Sequence, residues 1–116
     1  MKLFLDDIRD PEKYHIMGWV WVKTAEDAVR LLRTGEVTEA ALDHDLTDEQ
    51  MVKGGILGQI YEDGYKSGYD VVEFLEQHPQ FWPPDGVSVH SRNPAGKKRM
   101  HQVIYNHYRK LFLPLF

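Results

Sequence analysis

The chain reads as one small α/β domain, a parallel sheet of about four strands with flanking helices. Three observations predict this. Short apolar runs at residues 2–6, 19–23, 38–43 and 86–90 have strand character, being rich in Leu, Val, Ala and aromatics. Segments of helical period lie between or after them, and strands alternating with helices imply parallel pairing through right-handed crossovers. Finally, three of the runs end in polar clusters. Leu3-Phe4-Leu5 enters Asp6-Asp7-Ile8-Arg9, Ala40-Ala41-Leu42 enters Asp43-His44-Asp45, and Val87-Ser88-Val89 enters His90-Ser91-Arg92-Asn93. Open parallel sheets place their ligands at the carboxyl edge, where three such clusters would meet.

The elements follow in order. Residues 2–6 read as a buried strand, and residues 9–18 are too short for a full helix and read mostly as loop. Trp19-Val20-Trp21-Val22-Lys23 is the second strand. Thr24 is a candidate N-cap, followed by acids at 26 and 27, an apolar face of Ala25, Ala28, Val29 and Leu32, and a stop at Gly35. Residues 38–43 form the third strand. Asp70-Val71-Val72-Glu73 resembles a capping box opening a helix that ends by His78-Pro79. Residues 86–90 form the fourth strand, and from Gly96 a helix carries Met100, Val103, Ile104, His107, Tyr108 and Leu111 on one face. The expected strand order is 2-1-3-4, a trimmed flavodoxin-like sheet.

Residues 46–68 break this rhythm with five of the nine glycines, and Tyr61-Glu62-Asp63-Gly64-Tyr65 fits a small hairpin. Insertions of this length are usually functional lids or mobile segments. The apolar end, Leu111-Phe112-Leu113-Pro114-Leu115-Phe116, suits a docked tail, a weak fifth strand or a contact between copies that would build a homodimer.

With 116 residues there is room for one core. The chain has no cysteine, which excludes disulfides, thiolate-bound zinc and a cysteine nucleophile and permits a reducing compartment. No secretory signal or membrane-spanning stretch is visible, so a cytoplasmic protein is expected. The net charge of −4 is segregated: residues 1–85 carry all 18 acids and a net −10, whereas residues 86–116 carry no acid and a net +6. An acidic half can hold a cation while a basic half faces an anion, or the two can attract each other across the fold.

The clusters divide the chemistry between them. Two carboxylates about 4 Å apart repel by roughly 4 kcal/mol at an effective dielectric near 20. Asp6, Asp7 and Asp43 are therefore candidate ligands for a divalent cation, Mg²⁺ or Mn²⁺ by their oxygen-only character. Pairing of Asp7 with Arg9 or Arg92 is the structural alternative. His44 beside Asp45, together with His90, supplies candidate proton carriers. Ser91, Asn93 and Gly96 lie between a strand and a helix start, where free backbone N–H groups favour phosphate, Lys97 adds positive charge in the first turn, and Arg9 is a further candidate for anion contact. Ser91 and Asn93 equally suit plain turn and cap roles.

Four ordered stretches resemble the cyclic-phosphate processing receiver-like domains: Leu3 to Pro11, Leu42 to Leu46, Gly68 to Val72, and Val89 to Gly96, with Met100 beyond. The resemblance spans almost the whole chain and implies a receiver-like fold. In receiver domains the acid pair after the first strand holds Mg²⁺ and the aspartate ending the third accepts a phosphoryl group. Asp6, Asp7 and Asp43 stand at those places, and Ser91 stands where receivers keep serine or threonine. Receivers also carry a lysine after a fifth strand, with no clear equivalent here, and they lack His44 and His90. These departures favour hydrolysis or transfer over phosphorelay. The leading expectation is a metal-assisted phosphoesterase acting on a cyclic phosphate, either a cyclic nucleotide or a 2′,3′-cyclic RNA end. The alternatives are a non-catalytic receiver phosphorylated on Asp43, and an RNA- or nucleotide-binding module using the basic helix with Tyr105, Tyr108 and Phe112.

Overall fold

Four strands, β1 (Lys2–Leu5), β2 (Trp19–Val22), β3 (Glu39–Leu42) and β4 (Val87–Val89), form one sheet in the order β2-β1-β3-β4. Every pairing is parallel, with the strand order expected from the sequence. The computed structural model describes residues 1–8, 10–14, 17–44, 66–91 and 93–112. The expected hairpin at 61–65, nearly all of the glycine-rich insertion and the apolar tail beyond residue 112 lie outside the described residues.

Alternation along the strands gives the sheet two different faces. Leu3, Leu5, Ala40, Leu42 and Val89 point to one side and join a single hydrophobic core. Three helices among the described residues, α1 (Ala25–Leu32), α2 (Gly68–Gln77) and α3 (Pro94–Phe112), contribute most of the rest of that core, with Val37 and Trp82 from the connections. Phe4, Ala41 and Ser88, which are paired in register across β1, β3 and β4, belong to the other face with Trp19 and Trp21. Among the described residues, the link from β1 to β2 contains a 3-10 turn, Pro11–Tyr14, whose start is held by the Glu12 N–H donating to Asp10 Oδ1 at 3.0 Å.

The helices form where local chemistry supplies their ends. Thr24 caps α1 by accepting the Asp27 N–H at 3.1 Å, and Ala25, Ala28, Val29 and Leu32 are its buried stripe. Beyond its last turn Gly35 takes φ +74, a left-handed conformation that favours glycine. For α2 the sequence reading needs correction. The capping box is formed by Ser67 and Asp70, three residues earlier than expected: Ser67 Oγ accepts the Asp70 N–H and Asp70 Oδ2 accepts the Ser67 N–H at 3.1 Å. Asp70 is thus the third helical residue rather than the cap, and a second bond, from the Lys66 N–H, reinforces its position. Helix α3 likewise starts at Pro94, two residues before Gly96. Proline is tolerated at a first helical position because its missing N–H would have no intrahelical partner there.

Met100 and Ile104 bury α3 in the core, while His107 stacks on Trp82 with ring centroids 4.3 Å apart. Next to them the Tyr108 hydroxyl donates to the Pro83 carbonyl oxygen, tying the helix to the segment before β4.

Two stability predictions follow from these anchors. Ser67→Ala removes half of the box and should cost about 1 kcal/mol in urea denaturation. Burial, then the negative charge of Asp85, pushes the Tyr108 phenol up to about 12 from its ordinary 10.0. Because the folded state holds the proton more tightly, this contribution is fully present below pH 10 and is lost as pH rises towards 12. Tyr108→Phe should remove that alkaline loss, measured as the change in unfolding free energy across this range.

Candidate functional site at the carboxyl edge of the sheet

Three residues just beyond the strand ends are fixed by the ladder itself. The Asp6 N–H donates to Val22 O at 3.1 Å, the Asp43 N–H to Leu5 O at 3.0 Å and the His90 N–H to Leu42 O at 2.9 Å. Since Leu5, Leu42 and Val89 are paired in register, Asp6, Asp43 and His90 emerge side by side. Alternation directs all three towards the Phe4 face of the sheet rather than the helical core.

The acids form a tight group. Asp6, Asp7 and Asp43 each present a carboxylate oxygen, and these atoms all lie within 4.8 Å of one another. Asp6 is only 1% exposed and its position is set from several directions. Its Oδ1 accepts the Ile8 N–H at 2.9 Å, its carbonyl oxygen accepts the Trp21 Nε1–H at 2.7 Å, and its Oδ2 lies 3.2 Å from His90 Nε2. The His90 imidazole is stacked on Phe4, with centroids 4.7 Å apart and planes inclined by 14°. A buried carboxylate and a stacked ring thus hold this histidine in one orientation.

His44 is 9% exposed and belongs to a turn clamped by two helix starts. Its carbonyl oxygen accepts the Gly68 N–H of α2 at 3.1 Å. A Cβ on Gly68 would overlap the Asp43 carbonyl oxygen, so only glycine allows α2 to begin against this turn. On the other side the His44 ring lies against Gly96 of α3.

The remaining candidates form the turn into α3. Ser91 Oγ accepts the Asn93 N–H at 3.0 Å, and Asn93 Oδ1 accepts the Gly96 N–H at 3.0 Å as the helix cap. The Lys97 N–H is donated to Asn93 O at 2.9 Å. These backbone donors therefore serve the helix start, while the Ser91 hydroxyl retains its own proton as a donor. Arg9 and Asp45 lie outside the described residues, as does Arg92.

The sequence reading singled out the acids and both histidines but not Phe4, Trp21 or Gly68. Phe4 carried a usable signal, since residues two apart on a strand share a face and Phe4 therefore accompanies Asp6.

A parallel β2-β1-β3-β4 sheet with helices and an acid cluster at its carboxyl edge defines a receiver-like domain. The chain matches the family model of the cyclic-phosphate processing receiver domain over residues 1–106 and belongs to that family. No curated protein and no solved structure matches it. No helix among the described residues is long and apolar enough to cross a membrane.

The close approach of α2 yields a direct test. Gly68→Ala should destabilise the fold by at least about 2 kcal/mol, because the added methyl meets backbone that cannot rotate away. Helix propensity alone predicts the opposite sign. Thermal and urea unfolding distinguish the two.

Proposed function

We propose that the domain hydrolyses a cyclic phosphodiester, a cyclic nucleotide or a 2′,3′-cyclic RNA end, with a divalent cation held by Asp6, Asp7 and Asp43. The observation that carries this reading is the convergence of three carboxylates within 4.8 Å, with His90 in contact with one of them, in a cyclic-phosphate processing receiver domain. Ligand oxygens around an octahedral Mg²⁺ with bonds near 2.1 Å stand about 3.0–4.2 Å apart. The observed spacing is close to that range, and the donor set is all oxygen, so Mg²⁺ or Mn²⁺ fits. When bound, such a cation supplies Lewis-acid polarisation of the phosphoryl oxygens.

The side chains supply the rest. Hydrolysis of a cyclic phosphate needs a proton taken from water and a proton given to the departing ribose oxygen. His44 and His90 are the two proton carriers, and His90 presents Nε2 beside Asp6 with its ring plane fixed by Phe4. Ser91, through its hydroxyl proton, and the cationic side chains of Arg9 and Lys97 would hold the non-bridging oxygens. The basic carboxyl-terminal part of the chain, net +6 from residue 86 onward, favours an anionic substrate.

Purified protein with Mg²⁺ or Mn²⁺ should turn over at least one member of a panel of cyclic nucleotides and cyclic-ended RNAs, and chelation should abolish this. Replacing His44 or His90 by alanine should lower kcat by about 10²–10⁴. Asp7→Asn should raise the melting temperature in EDTA by relieving charge repulsion, yet lose the rise that Mn²⁺ gives the wild type. A folded protein inactive on the whole panel sinks the proposal. A stable phosphoryl adduct from acetyl phosphate that disappears in Asp43→Asn would replace hydrolysis with signalling.

A further inference from the structure

Gly96 occupies the third helical position of α3, counted from the Asn93 cap, and a side chain there would collide with His44. A Cβ built on Gly96 would lie 2.6 Å from His44 Cδ2, 2.6 Å from Nε2 and 2.7 Å from Cγ. These three atoms are consecutive around the ring. Approach to a ring edge would leave one atom much nearer than its neighbours, so near-equal distances place the missing Cβ over the ring face. The imidazole therefore lies flat on the bare Cα of the helix. Face packing keeps the helix out of the ring plane, where both nitrogens make their hydrogen bonds.

The Gly96 N–H is already donated to Asn93 Oδ1. The backbone of the histidine is independently held through its carbonyl oxygen by Gly68. One glycine thus fixes where the His44 backbone sits, and the other decides where its ring can lie. We propose that Gly96 is a positioning residue, a slot in the first turn of α3 that seats the His44 imidazole face-on at the carboxyl edge. This rests on the proton-carrying role given above to His44, but the seat itself can be tested without it.

The experiment compares wild type, Gly96→Ala, His44→Ala and the double variant. If Gly96 were an ordinary helical glycine, alanine would stabilise the protein in both backgrounds. The proposal expects the reverse with His44 present: Gly96→Ala lowers the melting temperature and shifts the His44 ring resonances in a ¹H–¹³C spectrum. In the His44→Ala background the same substitution should leave the melting temperature unchanged or raise it. For turnover of a cyclic phosphate, Gly96→Ala should lower kcat by about 10²-fold, the cost of misplacing a reacting group by about 1 Å, with KM within about twofold. An equal effect with and without His44, or unmoved ring resonances, overturns the seat. If Gly96→Ala alone does not fold, a folded double variant supports the proposal and an unfolded one overturns it. Thermal coupling in a protein without turnover would sink the functional reading and leave the seat standing.

Discussion

Parallel register across β1, β3 and β4 is the constraint on which the rest depends. Leu5, Leu42 and Val89 are aligned, and the next residue on each strand has its N–H tied to a neighbouring strand. Asp6, Asp43 and His90 are therefore placed by the backbone before any side chain interacts. The same alternation sends Leu3, Leu5, Leu42 and Val89 into the core. A slip of one residue would turn leucines to the polar edge and acids into the helical layer, so hydrophobic burial itself enforces the site geometry. Stability and site are consequences of one pairing.

That pairing concentrates negative charge, and the fold partly answers it. Helices α2 and α3 both begin at this edge, one against Asp43 and the other against His44. Their amino-terminal ends carry partial positive charge worth about 0.3–1 kcal/mol each towards a nearby anion. One pair of carboxylates at about 4 Å costs roughly 4 kcal/mol at an effective dielectric near 20. Two helix ends alone therefore offset only part of the repulsion among three acids. A cation, a basic side chain or a shared proton can each supply the larger share of the relief.

Much of this arrangement was legible in the sequence because it depends on local patterns. Four apolar runs separated by Gly, Pro and cap residues gave the strands, their order and the acids at their ends. The cap of α2 was misplaced because Asp70-Val71-Val72-Glu73 and Ser67-Gly68-Tyr69-Asp70 satisfy similar spacing rules, and only the hydrogen bonds distinguish them. Gly68 lay at the end of a glycine-rich stretch, where nothing local separates a close-packed glycine from one that merely makes a loop. Gly96 looked like a phosphate-binding backbone position, but its contact with His44 joins α3 to the turn that follows β3. Such contacts depend on how helices sit on the sheet, which spacing along the chain does not encode.

The support of His90 shows how far such a dependence can reach. Phe4 is on β1 and His90 follows β4, with β3 between them, yet their rings stack at 4.7 Å. The residue of β3 paired with Phe4 is Ala41, so a small side chain stands on the strand between them. A large residue at position 41 would stand between the phenyl ring and the imidazole. Because His90 also faces Asp6 Oδ2, the small side chain at 41 indirectly sets the distance between a carboxylate and an imidazole on nonadjacent strands. The apolar face opposite the helices is thus the floor that orients a polar group, and the size of residues on it matters as much as their hydrophobicity.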